Sequence, residues 1–257
     1  MAETTTKLAN KIAWVDLASK DAEGSRTFYA NLFGWDVQVN PDPQYGGYAL
    51  AKLGGGDVAG IGPAMDPNAP PAWNVYIGAD DLDDLAQRIT TAGGTVVMAP
   101  FPVGEQGAMA VFQDPTGAFI SAWKATQMRG FQSTGEGTFA WAELNSRGID
   151  QAKTFYAKVF GWTHETMAGA GAMPDYTTFF ASGEPVAGAM PMDAAMPPEI
   201  PSYWMPYFGV ADVDASFDQA RALGAREMVS PTDFPGGRFA SLGDLDGAMF
   251  GLMRMGD

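Results

Sequence analysis

Residues 11–18 alternate along the chain and are rich in β-favouring side chains, which predicts a strand. The period then changes. Over 22–33, Ala22, Arg26, Tyr29 and Phe33 fall on one helical face, with Phe28 and Leu32 beside them, and Gly34 stands where a left-handed glycine ends a helix. Residues 47–53 and 58–65 read as strands, with a hairpin turn at Gly54, Gly55 and Gly56. After the proline-rich stretch 67–71 the plan restarts. A strand over 73–79 is followed by a helical stripe of Leu82, Leu85, Ala86 and Ile89, stopped by Gly93 and Gly94. Strands over 95–99, 108–113 and 118–123 close this half, with an Asp-Pro-Thr-Gly turn between the last two. The second half predicts a strand over 138–144, a helix over 149–160, a strand near 204–210, a helix over 213–223 and terminal strands. Trp35 and Trp162 follow the helix-ending glycines and are expected to open strands.

The two halves are copies. Trp14-Val-Asp-Leu17, Phe28-Tyr-Ala30 and Phe33-Gly-Trp35 recur at Trp141, Phe155 and Phe160 with a constant offset of 127. Val58-Ala-Gly60 recurs at Val186 with offset 128, Asp114-Pro-Thr-Gly117 recurs as Asp244-Leu-Asp-Gly247 with offset 130, and Trp73-x-x-Tyr76 recurs as Trp204-x-x-Tyr207 with offset 131. A drift that small means loop insertions between matching elements. The expected organisation is a first domain over 1–125 (units about 10–66 and 72–125), a linker over 126–136, and a second domain over 137–257 (units about 137–194 and 202–255).

Composition narrows the chemistry. The 257 residues contain no Cys and a single His, His164. Disulfides, thiolate metal sites and cysteine nucleophiles are excluded, as are HExxH zinc sites and any pair of histidine ligands from one chain. Fifteen Lys and Arg stand against thirty Asp and Glu, net −15, and both halves are acidic. A field of that sign repels nucleic-acid phosphates and anionic membrane surfaces. No apolar core of signal-peptide length stands in residues 1–7 and no run approaches a membrane span, so a cytoplasmic location is expected.

The pairing of Ser/Ala-x-x-Phe-Tyr-x-x-x-Phe-Gly-Trp with a closing Asp-x-x-Gly turn, found in both halves, resembles the vicinal oxygen chelate superfamily, which holds glyoxalases, bleomycin resistance proteins and extradiol dioxygenases. The resemblance covers essentially the whole chain and implies an α+β fold: two tandem glyoxalase/bleomycin-resistance-like domains whose four βαβββ units form half-open barrels, with a ligand site on the concave face. Units pair consecutively in some arrangements and first with fourth in others, and the sequence leaves that open. In metal-using members, three positions supply ligands. Here the corresponding residues are Trp14, Asn74 (within one residue) and Ser121 in the first half, and Trp141, Met205 (within one residue) and Gly251 in the second. None is a good ligand for a divalent transition metal. Both domains are therefore expected to work without a metal or other cofactor.

Strand residues two apart share a face, so Asp16 accompanies Trp14 and Glu143 accompanies Trp141. A carboxylate in an apolar, Trp-lined pocket has a raised pKa and can act as acid, base or anchor. The structural alternative is a strand carboxylate paired with an Arg or hydrogen-bonded to a neighbouring loop. Tyr48, Tyr176, Trp73, Tyr76, Trp204, Tyr207, Ser121 and Trp123 are the other expected cavity residues, rings with a polar edge suiting a planar ligand. Phe28, Phe33, Phe155 and Phe160 are expected in the core. The Met190-Pro-Met192…Met196 stretch reads as an exposed interdomain loop or an adaptable rim. His164 reads as a lone surface or strand histidine, and the acidic run over 80–84 as a helix start. Three readings stay open: a binder of a small aromatic or cationic molecule acting in resistance or detoxification, a cofactor-free isomerase, lyase or hydrolase with Asp16 or Glu143 as acid/base, and a degenerate interaction scaffold. Fusion of two copies favours a monomer, with a dimer left open.

Overall fold

The computed structural model describes residues 9–169, 174–192 and 196–256; residues 1–7, read above for a targeting segment, lie outside them. The βαβββ plan appears four times. The first module is β1 (Ile12–Ser19), α1 (Ala22–Phe33), β2 (Asp36–Val39), β3 (Ala49–Leu53) and β4 (Gly56–Pro63). The second is β5 (Ala72–Gly78), α2 (Leu82–Thr91), β6 (Thr95–Val103), β7 (Gly107–Gln113) and β8 (Phe119–Ala125). The third is β9 (Phe139–Ser146), α3 (Ile149–Phe160), β10 (Thr163–Met167), β11 (Tyr176–Ala181) and β12 (Glu184–Pro191). The fourth is β13 (Tyr203–Gly209), α4 (Val213–Ala222), β14 (Arg226–Phe234), β15 (Gly237–Gly243) and β16 (Met249–Met255).

Consecutive modules share a sheet. One runs β2-β3-β4-β1-β5-β8-β7-β6 and the other β10-β11-β12-β9-β13-β16-β15-β14, so each domain has an open, eight-stranded mixed sheet rather than a closed barrel. The strand pairs β1–β4, β5–β8 and β13–β16 are parallel. The compact units group the modules differently. One gathers Tyr76–Arg129 and Leu144–Tyr203 with the chain up to Trp14; the other gathers Val15–Val75, Gly130–Glu143 and Trp204–Asp257.

In the latter unit, α1 is started by Asp21, whose side chain accepts from the Gly24 N–H, and is stopped by Gly34 at φ 72°, the left-handed conformation that glycine takes without strain. Its buried face carries Phe28, Tyr29 and Phe33 into an aromatic core with Trp35, Trp73, Phe208 and Phe250. Each such side chain contributes roughly 1.5–3 kcal/mol by burial. Trp35 is a core residue, and β2 opens one residue later at Asp36. Its indole N–H donates to the Gly137 carbonyl at 2.7 Å.

The other unit repeats this logic. Tyr156, Phe160, Trp162 and Phe179 pack together behind α3, Gly161 ends the helix at φ 68°, and the Trp162 N–H donates to the Asn10 carbonyl. The acidic run starts α2: Asp81 accepts from the N–H groups of Asp83 and Asp84, which lowers its pKa through the Asp84 bond above all. Gly54 and Gly55 turn the β3–β4 hairpin, and His164 lies exposed on β10. The Met-rich stretch is not the exposed loop expected of it. Met190 belongs to β12 and Met192 is buried, because the strand continues through Pro191; residues 193–195 lie outside the described residues. No helix among the described residues is long and apolar enough to cross a membrane.

Candidate functional site

Alternation along β1 puts Trp14 and Asp16 on one face and Ala13, Val15 and Leu17 on the other. Asp16 is 9% exposed. Its Oδ2 accepts a hydrogen bond from the Tyr48 hydroxyl at 3.2 Å, and its Oδ1 accepts one from the Asn74 amide at 2.9 Å. Tyr48 lies just before β3, so this bond is of the kind the structural alternative anticipates, and Asn74 adds a second donor from β5. Gly60 is what lets them meet. It pairs directly with Asp16, and a Cβ there would fall 1.8 Å from the Tyr48 oxygen and 2.9 Å from the Asp16 Cβ. The repeated Val-Ala-Gly motif is thus a space-making device in the first domain.

In the second domain the corresponding carboxylate is Glu143. Glu143, 6% exposed, accepts a 3.0 Å hydrogen bond from the Tyr207 hydroxyl. The Tyr207 ring lies across Gly251, its register partner on β16: a Cβ at that position would fall 2.0 Å from the ring. In the first domain the corresponding strand pair places Ser121 opposite Tyr76, both buried, with Trp123 two residues further along β8 on the same face. The Trp123 N–H donates to the Met128 carbonyl at 2.8 Å. Tyr176 is half-buried at the start of β11, on the face opposite Phe179, and Trp141 is half-buried on the Glu143 face of β9.

Two expected cavity residues stand elsewhere. Trp73 is on the helix side of β5, its indole N–H donating to the Tyr29 hydroxyl at 2.9 Å and its ring 5.2 Å from that of Tyr29. Trp204 shares the face of Phe208 on β13, opposite Tyr207, by the same alternation. The Trp-x-x-Tyr spacing put Trp and Tyr on opposite faces of a strand, and the tyrosines took the carboxylate side. Asn74 and Gly60 were legible only as a vacated ligand position and a repeat marker.

The family's metal positions can be tested against this chemistry. Trp14 and Trp141 offer no donor lone pair, Met205 is a weak ligand, and Gly251 has no side chain, its place being taken by the Tyr207 ring. Among the described residues, no group of three or more His, Cys, Asp or Glu comes together to hold a metal ion. The residues present do not fit a divalent metal. An open depression along α2, lined by Ala86, Gln87, Thr90, Thr91 and Val96, carries no carboxylate and no buried polar group.

The topology and the duplicated motif define a vicinal oxygen chelate fold, and the comparisons with known proteins agree. The model of the glyoxalase/bleomycin resistance protein/dioxygenase superfamily matches residues 11–121 and again 138–252, and the chain belongs to that superfamily. It is 40% identical over 250 residues to CFP32 of Mycobacterium tuberculosis, covering 94% of this chain and 93% of the relative. It is 36% identical over 258 residues to the anthracycline biosynthesis protein DnrV of Streptomyces peucetius, covering 95% and 92%. Among solved structures, the 2,3-dioxygenase LapB of Pseudomonas sp. KL28 matches with a TM-score of 0.68 at 15% identity, covering 96% of this chain and 92% of that one. The Mn(II)-bound glyoxalase of Novosphingobium aromaticivorans matches with a TM-score of 0.64 at 17% identity, covering 95% and 82%. At those identities the likeness shows the fold.

Proposed function

We propose that the protein binds a small, planar aromatic molecule, cationic or hydroxylated, at the carboxylate-bearing sheet face of each domain, without a metal, in resistance or detoxification. One observation carries this reading: both repeats bury a strand carboxylate, Asp16 or Glu143, and each accepts a hydrogen bond from a tyrosine hydroxyl, Tyr48 or Tyr207, with the Asn74 amide also bonded to Asp16. A hydrogen bond from a neutral donor orients a carboxylate without itself neutralising it, and a carboxylate is a natural partner for a ligand cation or hydroxyl. The tyrosine rings beside it supply flat apolar area. The net charge of −15 favours a cation over an anion. The likeness to DnrV supports the aromatic class, since anthracyclines are planar polycycles.

The Tyr207–Glu143 bond also favours a second reading. A phenol donating to a carboxylate at 3.0 Å is a proton-transfer pair, and a cofactor-free isomerase, lyase or hydrolase could use it with Glu143 as base. The first reading is tested by fluorescence titration of the full chain with proflavine, a planar aromatic cation, beside 1,8-dihydroxyanthraquinone as a neutral counterpart. Saturable binding of at least one of them is expected, with one site lost in D16N and the other in E143Q. Absence of binding by either probe, or binding indifferent to both substitutions, overturns it.

A further inference from the structure

Asp246 stands in the turn between β15 and β16, in the second domain, yet its carboxylate is bonded to the first. Its Oδ2 accepts from the Ser19 hydroxyl at 2.9 Å, the Lys20 N–H at 3.0 Å and the Asp21 N–H at 2.9 Å. These donors form the elbow between β1 and α1, and they lie in one compact unit with Asp246. The positive end of the α1 dipole favours a negative charge there. Ser19 is buried and gives its one hydroxyl proton to Asp246, so in its 2.8 Å contact with the buried Ser25 hydroxyl, Ser25 is the donor. The chain from Ser25 through Ser19 ends on an ionised acceptor, and each bond polarises the next.

The matching elbow, between β9 and α3, uses neutral acceptors. Ser146, Arg147, Gly148 and Ala152 correspond to Ser19, Lys20, Asp21 and Ser25 at offset 127, and Thr116 corresponds to Asp246 at offset 130. The Thr116 hydroxyl donates at 2.7 Å to Asp114 in its own turn. The Arg147 and Gly148 N–H groups donate at 3.1 Å to the hydroxyls of Ser202 and Ser146. Each of these bonds stays within one domain.

We infer that Asp246 is an interdomain latch: its carboxylate, seated between the Ser19 hydroxyl and the N–H groups of Lys20 and Asp21, fastens the β15–β16 turn of the second domain to the β1–α1 elbow of the first, and uptake of one proton by Asp246 releases it. Burial works against the charge on Asp246, but the bonds from Asp21, Ser19 and Lys20 outweigh it and hold its pKa below the ordinary 3.8. The contribution of the latch is therefore fully present above 3.8 and is lost as pH falls through the lowered value. The titratable groups around it are Lys20 and Asp21 on the elbow, Tyr29 on α1 and Asp244 in its own turn. The latch does not depend on the proposed binding function.

The experiment uses the full chain as wild type, D246N and D246A. The first measurement is hydrogen exchange of the Lys20 amide near neutral pH, followed by NMR. Lys20 is the reporter because the Asp21 amide also feels its own carboxylate. Exchange about ten-fold faster is expected in D246A, which removes the acceptor. The second is the urea midpoint of wild type and D246N from about pH 6 downward. Asparagine keeps a side-chain oxygen as acceptor and cannot ionise, and both forms keep Asp244, so its opposite contribution cancels in the difference. The wild type is expected to have the higher midpoint at about pH 6 and to lose that advantage as pH falls below 3.8. Unchanged Lys20 exchange in D246A overturns the inference, as does a wild-type advantage over D246N that is missing at about pH 6 or that persists undiminished in acid. If D246A does not fold, the D246N comparison decides by the same outcomes.

Discussion

The Tyr29 hydroxyl donates a 3.0 Å hydrogen bond to Oδ2 of Asp244, 215 residues away in sequence. The bond has a twin, Tyr156 to Asp114, also at 3.0 Å. These are the two ends of the repeated signature, the Phe-Tyr helix and the Asp-x-x-Gly turn, and they meet across modules: first with fourth, third with second. The aspartate's other oxygen organises the turn itself. Oδ1 of Asp244 accepts from the N–H groups of Asp246, Gly247 and Ala248, and Oδ1 of Asp114 from those of Thr116 and Ala118. One carboxylate thus shapes a turn and locks a helix onto it.

Removing that phenol leaves buried polar atoms without their partner. In Y29F, Oδ2 of Asp244 loses its donor and the Trp73 N–H loses its acceptor. The expected cost is about 1–3 kcal/mol, read from urea unfolding. Y156F removes the twin bond and is expected to cost a similar amount. Unchanged midpoints for both variants would contradict the account of the turn.

Asp244 gives a pH dependence with a definite sign. Burial, opposed by hydrogen bonds from Ala248, Tyr29, Asp246 and Gly247, pushes its pKa above the ordinary aspartate value of 3.8. The folded state therefore holds this proton more tightly than the unfolded chain. The resulting stability is fully present below 3.8 and is lost as pH rises through the raised value. Relative to D244N, which cannot titrate there, the wild type is expected to lose stability as pH rises from about 4 toward neutrality. Urea midpoints of the pair across that range check it, and a relative gain by the wild type with rising pH contradicts it.

Gly60 is expected to be intolerant of any side chain. In G60A the new methyl would meet the Tyr48 hydroxyl at 1.8 Å and the Asp16 Cβ at 2.9 Å, so Tyr48 must leave Asp16. A destabilisation of about 1–3 kcal/mol is expected, with loss of probe binding at the first site. Y48F, which keeps the ring and removes only the donor, should weaken binding with a smaller effect on stability. Equal probe affinity in wild type, G60A and Y48F rules out a role for Tyr48 in that site.

Chelation is expected to change nothing. Neither set of positions offers nitrogen, thiolate or carboxylate ligands in the combination a divalent metal needs. Probe affinity measured before and after exhaustive treatment with EDTA should coincide, and its loss on chelation with recovery on adding Mn²⁺ would contradict a metal-independent site.

Much of the fold was legible because its signals are local and doubled. The helix period over 22–33, the stop at Gly34 and the Asp-x-x-Gly turn each have a physical cause within a few residues, and each recurs near an offset of 127–131. The carboxylates on β1 and β9 were legible through period-two alternation. What the sequence hid is non-local. That Trp73 turns to Tyr29 while Tyr207 turns to Glu143 follows from which face of each strand meets a helix, and alternation alone does not name that face. Asn74 as a donor, and Gly60 and Gly251 as space for rings, depend on neighbours from other strands. Sheet pairing could not be read either: consecutive modules share a sheet, while first and fourth share a compact unit.

The central claim is that Asp16 and Glu143 each anchor a ligand. Isothermal titration of the full chain with proflavine measures it most directly, because stoichiometry counts sites. Two equivalents are expected for the wild type, one each for D16N and E143Q, and none for D16N/E143Q at the same concentrations. A stoichiometry left unchanged by both substitutions, in variants that remain folded, would contradict the account.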